Sequence, residues 1–310
     1  MKINTLIIGA GNISAFYDSP DSKEILTHAH AITLNDQFRL AGFVDVDIEK
    51  AKKASDVWGG MAYKSFDEVQ EQIDLFCVAV PDRYHYQETK KIVSYNPKMI
   101  IIEKPITVDI NEGQNLINLL ETSNIYAEVN YSRRFIKGFS YLKQYITELG
   151  NFLGGTVFYG KGLLHNGSHM VNMLLYLFEN MKKFSALGKV NDYSKDDCSR
   201  EVVYDINGKH IIFQPVDSGY VTTFEFDLRF TKGRVKYDGA AEKIYFYNIA
   251  ESDIYRGEKN YVRNKTLAIA PGEAMKNLYS HMSNLICGKE NIISSVNDAY
   301  NTLLLCKWSE

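Results

Sequence analysis

Short apolar runs alternate with amphipathic segments along the first third of the chain, a pattern typical of strands joined by helices. The predicted strands are Thr5–Ile8, Leu40–Val44, Leu75–Val80, Met99–Ile102 and Tyr126–Asn130, and the predicted helices are Ile48–Trp58, Phe66–Gln72, Tyr84–Ser94 and Val108–Thr122. The strands are nearly all apolar, as expected for parallel strands covered by helices on both faces. Asp47 and Asp109 are predicted to cap the helices that follow them.

From about Gly150 the segments become rich in Tyr, Phe, Val and Thr, and several alternate polar and apolar residues, which predicts an antiparallel sheet with one covered face. The predicted strands are Gly154–Tyr159, His210–Gln214, Val221–Phe230, Arg234–Tyr237 and Lys243–Tyr247, and the predicted helices are Met170–Phe178, Ala274–Cys287 and Val296–Lys307. The predicted fold is therefore an α/β Rossmann domain, residues 1–125, and an α+β domain, residues 126–310, with an open, largely antiparallel sheet. In an alternative arrangement, the last helices pack back on the first domain. The open sheet face needs cover, which predicts a homodimer or homotetramer.

Composition removes several classes of function. The net charge of −3 provides no basic surface for nucleic acid, and no apolar run approaches the roughly 20 residues that cross a membrane. The opening residues, MKINTLIIGAG, lack the pattern of a signal peptide, so a cytoplasmic location is expected. The cysteines are isolated and indicate neither a disulfide framework nor a zinc site; they are Cys77, Cys198, Cys287 and Cys306.

A glycine motif follows the first strand directly. In GAGNIS, Gly9 permits a tight turn, Gly11 lets the backbone approach a pyrophosphate, and Asn12 and Ile13 begin a helix. Asp45 closes the next strand, where a carboxylate can accept hydrogen bonds from an adenosine ribose. No Arg or Lys follows it at once, so NAD is favoured over NADP. The motif and the acidic residue together predict a dinucleotide site.

The segment Ala15–Thr27 contains residues that continue a helix poorly, so a short helix and a loop are predicted, with a lid as an alternative. His28 and His30 follow it. Two histidines without a third ligand do not define a metal site, and we expect one ring to be packed and the other to lie near solvent. No metal is predicted.

Two strand ends carry further candidates. Val80 and Pro81 close one strand, and Glu103, Lys104 and Pro105 close the next. In open parallel sheets, ligands bind beyond the carboxyl ends of the strands, so Lys104 is placed where a nicotinamide and its substrate would lie. Pro105 restricts the backbone of Lys104 to extended dihedrals and thereby limits the direction of the lysine.

At this point the sequence resembles the Gfo/Idh/MocA family, named for glucose–fructose oxidoreductase and inositol dehydrogenases. The matching residues are Gly9 to Ile13, Asp45, Pro81 with His85, Glu103 to Pro105, Asn130 to Phe135, and Gly167 to His169. The resemblance implies an NAD(P)-dependent dehydrogenase whose substrate is usually a sugar, a polyol or a sugar nucleotide. It also implies that Lys104 polarises the reacting hydroxyl and that His169 is the general acid/base.

The sequence departs from this family at two positions. His165 and Asn172 stand where the family often has aspartates, so either His165 assists His169, or the proton transfer falls mainly on His169 or Lys104. His165 and His169 are also four residues apart, as on one face of a helix start. The residues between them, Asn166, Gly167 and Ser168, instead predict a turn and cap. Both histidines are retained as candidate catalytic residues.

Weaker candidates complete the predicted site. The cofactor contacts include Pro81, His85 and Glu103, although His85 suits a helix start equally well. The substrate contacts are Lys104, Arg134, Tyr159, Lys161, Asn166 and His169. Arg134 has a salt-bridged alternative, and with 21 tyrosines any one of them is more often a packed residue.

The predicted function is NAD-dependent hydride transfer at a secondary hydroxyl of a sugar or nucleotide sugar. Two alternatives stay open. One is a glycosidase or isomerase that retains NAD and returns the hydride in each turnover. The other is a non-catalytic sensor of NAD(H). This alternative stays open because His165 and Asn172 replace aspartates that the family often has.

Overall fold

The computed structural model describes residues 2–308, and the chain divides into two compact units, Met1–Phe135 with Gly272–Leu303, and Ile136–Pro271 with Leu304–Glu310. The strands are β1 (Ile3–Ile8), β2 (Phe38–Val44), β3 (Met61–Tyr63), β4 (Leu75–Val78), β5 (Met99–Ile102), β6 (Tyr126–Val129), β7 (Phe152–Tyr159), β8 (Met181–Val190), β9 (Ser199–Ile206), β10 (Lys209–Pro215), β11 (Phe224–Phe230), β12 (Gly233–Asp238), β13 (Lys243–Glu251) and β14 (Lys259–Ala268). The helices are α1 (His28–Thr33), α2 (Ile48–Trp58), α3 (His85–Val93), α4 (Ile110–Glu121), α5 (Lys137–Tyr145), α6 (Ser168–Leu177), α7 (Glu273–Ile286) and α8 (Val296–Cys306).

The first unit is built on a parallel sheet of six strands in the order β3-β2-β1-β4-β5-β6. Its central strands are fully buried, and apolar residues of α1, α2 and α7 pack into the same core. Asp47 caps α2 and Asp109 caps α4 through side-chain hydrogen bonds to backbone N–H groups, as the sequence predicts. The predicted α/β Rossmann domain is confirmed.

The second unit contains an eight-stranded sheet in the order β14-β13-β12-β11-β7-β10-β9-β8, antiparallel except for the β7–β10 pair. One face is apolar, and Phe139 and Tyr145 of α5 pack on it against Tyr237 and Phe246. The predicted α+β class with a largely antiparallel sheet is confirmed.

Several elements were not predicted from the sequence: α1, α5, β3, β8, β9 and β14. β14 is exposed along almost its whole length, and β8 is mostly exposed, so neither shows the alternation that identifies a half-buried strand. The predicted helix at Phe66–Gln72 is wrong, because only the short 3₁₀ turn Phe66–Glu68 forms there.

Within residues 2–308 no helix combines the length and the apolar character needed to cross a bilayer. Over the same range, no three His, Cys, Asp or Glu side chains are grouped so that they could hold a metal ion.

A buried histidine links three segments of the first unit. His281 Nε2 lies 2.8 Å from Glu128 Oε1 on β6, and its Nδ1 contacts Glu290. Glu128 is fully buried and also accepts hydrogen bonds from the backbone N–H groups of Ile293 and Ser294. Burial opposes the charge of His281, but the two carboxylates raise its pKa, and the hydrogen bond from His281 lowers the pKa of Glu290. The ring therefore connects β6 to the segment before α8.

We expect His281→Leu to lower the free energy of unfolding by about 3 kcal/mol, because Glu128 stays buried without its cation. The raised pKa of His281 gives stability that is complete below its unfolded value and is lost as the pH rises through the folded value. The lowered pKa of Glu290 gives stability that is complete above its unfolded value. The loss should therefore be largest between about pH 4.5 and 6.5. Urea unfolding of both proteins at several pH values measures it, and an equal loss at pH 5.5 and pH 9 would contradict it.

Candidate active site

The glycine turn after β1 uses its two glycines differently. Gly9 has a φ of +94°, and a Cβ there would lie 2.5 Å from the carbonyl oxygen of Ala79. At Gly11, in contrast, a Cβ would meet nothing within 4 Å. Gly9 is thus required by the fold itself, whereas Gly11 leaves open space in front of the backbone. That space is what a pyrophosphate needs for close approach.

Asp45 lies beside this turn. One of its carboxylate oxygens accepts a hydrogen bond of 2.8 Å from the backbone N–H of Ala10, and the other accepts one of 2.9 Å from Asp47. The carboxylate is thereby fixed at the carboxyl end of β2, next to the glycine turn. The next residue, Val46, is uncharged and 89% exposed.

The segment after the turn is anchored by one carboxylate. The helix that follows the glycines is a single π-helical turn, Asn12–Phe16, which agrees with the predicted short helix. Asp18 accepts hydrogen bonds from Leu26 N, Thr27 N and Thr27 Oγ1, and it lies 2.8 Å from His30 Nδ1. Burial opposes its ionisation, but these bonds lower its pKa. The expectation that one of His28 and His30 lies near solvent is wrong, because both side chains are buried. His28 pairs with Glu103, and His30 pairs with Asp18.

The ends of β4 and β5 are joined by His85. The ring is fully buried, with Nδ1 2.7 Å from the carbonyl oxygen of Pro105 and Nε2 2.9 Å from that of Val80. The peptide bond between Lys104 and Pro105 is cis. Because both ring nitrogens are engaged by backbone carbonyls, a direct contact between His85 and the cofactor stays a prediction.

Glu103 lies in a buried polar cluster that the sequence did not indicate. Its Oε1 is 2.9 Å from His28 Nε2 and 2.6 Å from Asn130 Nδ2, and His28 Nδ1 is 2.9 Å from the hydroxyl of Tyr279. Burial opposes ionisation of Glu103, but His28, Asn130 and the charge of Lys104 lower its pKa. A contact of Glu103 with the cofactor, predicted from sequence, likewise stays a prediction.

The first unit thus brings four groups of predicted cofactor residues to the carboxyl edge of one sheet: the glycine turn, Asp45, the β4 end and the β5 end with Lys104. Glu103 and its partner His28 are 75 positions apart in the sequence, and His28 and its partner Tyr279 are 251 positions apart. No local spacing signals such pairs.

In the second unit, the predicted residues from Tyr159 to His169 share one loop and helix start. The loop is a π-helical turn, Gly162–Gly167, that runs into α6, so the predicted turn and cap is only partly right. Such π turns occur frequently at functional sites. Asn166 donates a hydrogen bond of 2.9 Å to the carbonyl oxygen of Gly160, and Lys161 adopts a left-handed backbone with φ of 63°.

A segment between β8 and β9 holds this loop, although no motif in that segment indicates such a role. Asp197 accepts hydrogen bonds from the backbone N–H groups of Leu164 and His165, and Asp192 accepts one from Lys161. The ring of Tyr193 stacks on that of His165 at a centroid distance of 4.3 Å. The two aspartates fix the backbone on both sides of the turn.

Two predicted substrate contacts have structural partners. The buried Arg134 bonds Asp298 and the carbonyl oxygen of Ile293, which favours the salt-bridged alternative. The hydroxyl of Tyr159 pairs with the backbone of Arg200 inside the core, which favours a packing role. Substrate contact by either residue stays a prediction.

The second unit also contains a cavity of about 310 Å³ that adjoins the His165 turn through Leu163 and Leu164. Its charged lining residues are Lys189, Lys195, Asp196, Asp197, Arg200 and Lys307. Cations outnumber acids, and Asp197 already binds backbone N–H groups. The lining therefore favours an anionic group over a cationic one.

Comparison with known proteins agrees with this architecture. Residues 3–131 match the GFO_IDH_MocA model, described as an oxidoreductase family with an NAD-binding Rossmann fold. The chain is 24% identical over 224 residues to glucose-6-phosphate 3-dehydrogenase of Bacillus subtilis, covering 64% of this chain and 61% of that protein. It is 23% identical over 144 residues to UDP-N-acetylglucosamine 3-dehydrogenase of Acidithiobacillus ferrooxidans, covering 46% and 42%. The matched stretches thus span less than two thirds of either relative.

Solved structures extend the similarity of fold to nearly the whole chain. The UDP-N-acetylglucosamine 3-dehydrogenase of Acidithiobacillus ferrooxidans superposes with a TM-score of 0.77 at 16% identity, covering 98% of this chain and 95% of that one. A myo-inositol dehydrogenase of Corynebacterium glutamicum superposes with a TM-score of 0.75 at 17% identity, covering 99% and 95%.

The fold and the glycine turn define a protein with a nucleotide-binding Rossmann unit and a second, α+β unit. The resemblance that the motifs predict is confirmed over residues 3–131, which match the model of this oxidoreductase family with an NAD-binding Rossmann fold.

Alanine at the two glycines separates fold from binding. We expect Gly9→Ala to destabilise the protein by about 2 kcal/mol, because its Cβ clashes and its φ is unfavourable. Gly11→Ala should keep the stability within about 0.5 kcal/mol, since Gly11 has a φ of −93° and free space, yet weaken dinucleotide binding at least tenfold. Denaturant unfolding and calorimetric titration measure the two effects. Equal stability losses in both variants would refute this division.

Proposed function

We propose that this protein is an NAD-dependent oxidoreductase that oxidises or reduces a secondary hydroxyl of a sugar or nucleotide sugar. Lys104 polarises the hydroxyl, and His169 acts as general acid/base, assisted by His165. The observation that carries the proposal is the meeting of the glycine turn, Asp45 and the Lys104 segment at one edge of a parallel sheet, where dinucleotides bind in such folds.

The residues at this edge fit a dinucleotide. Open space at Gly11 suits the pyrophosphate, and the fixed carboxylate of Asp45 suits the ribose hydroxyls. Val46 and Asp47 offer no positive charge to a 2′-phosphate, which supports NAD over NADP. NAD held by these residues would supply the hydride acceptor for oxidation of the alcohol, or the hydride donor for the reverse reaction.

The protein residues supply the remaining chemistry. The alcohol must lose its hydroxyl proton as the hydride leaves, and the imidazole of His169 is suited to accept it. The ammonium group of Lys104 stabilises the developing alkoxide and orients the hydroxyl. In the reverse direction, His169 returns the proton to the new alcohol.

The substrate class follows from the second unit and the relatives. The cation-rich cavity beside the His165 turn supports a sugar that carries a phosphate or diphosphate. Two relatives are named for such substrates, glucose 6-phosphate and UDP-N-acetylglucosamine. A cytoplasmic location and a homodimer or homotetramer complete the proposal.

A screen of free sugars, polyols, sugar phosphates and nucleotide sugars with NAD tests the function through the absorbance of NADH. We expect Lys104→Met and His169→Asn to lower kcat by about 10²- to 10⁴-fold on the substrate found. Calorimetry should show NAD affinity unchanged within a factor of about three.

The same assay separates the alternatives. Product formation without net NADH would identify an enzyme that returns its hydride. Full turnover by both variants would refute the assigned roles. Absence of turnover on every substrate class, with NAD binding intact, would favour the sensor.

Asp45→Asn tests the cofactor preference, because an amide oxygen still accepts the hydrogen bond from Ala10 while the charge is lost. We expect NAD affinity to fall about tenfold, the effect of one charged hydrogen bond, and NADP affinity to fall less, since repulsion of its phosphate is removed. Titration of both nucleotides against both proteins measures this. A wild-type protein that binds NADP more tightly than NAD would overturn the preference.

A further inference from the structure

We propose that His28 and His85 are positioning residues for Lys104, holding the residues immediately before and after it. The inference deepens the proposed function, since it rests on Lys104 being the reacting lysine. Neither histidine contacts the substrate in this scheme; each acts through its neighbour, Glu103 or Pro105.

His28 acts on the residue before Lys104. Its ring is fully buried on α1 and bonds Glu103 Oε1 at 2.9 Å, while Asn130 bonds the same oxygen at 2.6 Å. The Glu103 side chain is thus held by two donors from different elements. Because Glu103 and Lys104 share a peptide bond, this contact fixes the backbone from which Lys104 projects.

His85 acts on the residue after Lys104. It bonds the carbonyl oxygen of Pro105 at 2.7 Å and that of Val80 at 2.9 Å. The ring thereby connects the end of β4 to the turn that follows β5, and Lys104 is held on both sides.

The His28 contact also sets the charge beside Lys104. The groups that face the ring are Glu103, the hydroxyl of Tyr279 and the thiol of Cys77. Burial alone would lower the pKa of His28, but Cys77 and Glu103 raise it to about 10, and His28 in turn lowers the pKa of Glu103 against the opposing effect of burial. The charge of Lys104 also lowers the pKa of Glu103.

Stability alone does not explain such a pair. Replacing a buried ion pair by packed apolar residues is often neutral or stabilising, because desolvation offsets the attraction. His281 supplies the comparison within the same unit. It is also buried and pairs with two carboxylates, Glu128 and Glu290, but it contacts no residue next to Lys104.

The test uses His28→Leu, His85→Leu and the matched control His281→Leu, with His28→Gln as the conservative variant that keeps an amide donor for Glu103. One readout needs neither cofactor nor substrate: the rate at which Lys104 reacts with an amine-selective acylating reagent, followed by peptide mass spectrometry from pH 6 to pH 11. The other readout is kcat at saturating NAD on the substrate identified above.

We expect His28→Leu to let Glu103 take up a proton, so that the labelling profile of Lys104 moves to lower pH by about one unit, with partial rescue by His28→Gln. His85→Leu should lower kcat at least tenfold, because it removes the contact that holds the carbonyl of Pro105 directly after Lys104. His281→Leu should change neither readout in the folded fraction.

The proposal is overturned if His28→Leu and His85→Leu both match His281→Leu in the labelling of Lys104 and in kcat per folded molecule. Should His28→Leu fail to fold, His28→Gln decides: its labelling profile must lie between wild type and Glu103→Gln. If no sugar is turned over, or Lys104→Met stays active, the proposed function fails while the labelling arm still tests how Lys104 is held.

Discussion

Parallel pairing of β1, β4 and β5 is the constraint from which the site in the first unit follows. Ile8, Val78 and Ile102 are in register, and backbone bonds continue the ladder one residue further, from Ala79 N to Ile8 O and from Glu103 N to Val78 O. Parallel strands all end at the same edge, so the glycine turn, Pro81 and Lys104 emerge together. The positions of these three segments relative to one another therefore depend on the backbone bonds between the strands.

Two buried carboxylates of this unit, Glu103 and Glu128, are each bound by several partners. Glu103 is bound by His28 and Asn130, and Glu128 by His281 and two backbone N–H groups. Each carboxylate would be costly in isolation, since an unpaired buried ion loses its hydration. The two clusters nevertheless differ in position. That of Glu128 joins structural segments, whereas that of Glu103 ends one residue before Lys104, which is why the same type of contact is assigned different roles.

The sequence allowed the prediction of most of the fold and the cofactor edge, because both depend on local patterns. Continuous apolar runs marked β4 and β5, glycine spacing marked the turn, and Asp47 marked the start of α2. Contacts between distant residues could not be predicted. His28 and Tyr279 are 251 positions apart, and two histidines close together in sequence resemble a ligand pair as much as two separate packed rings. Exposed edge strands such as β14 lack any apolar period.

In the second unit, two aspartates fix the backbone of the turn that carries His165. His165 occupies a position where the family often has aspartate, yet its backbone N–H is bound by Asp197 and its ring is stacked on Tyr193. Asp197 is largely desolvated, which raises its pKa against the opposing effect of the backbone bonds from Leu164 and His165. The carboxylate is thus engaged with the backbone of the turn, and no proton relay through it is needed to explain its place. Asp192 and Asp197 thus hold the backbone of the turn from outside, and His169 follows this turn at the start of α6.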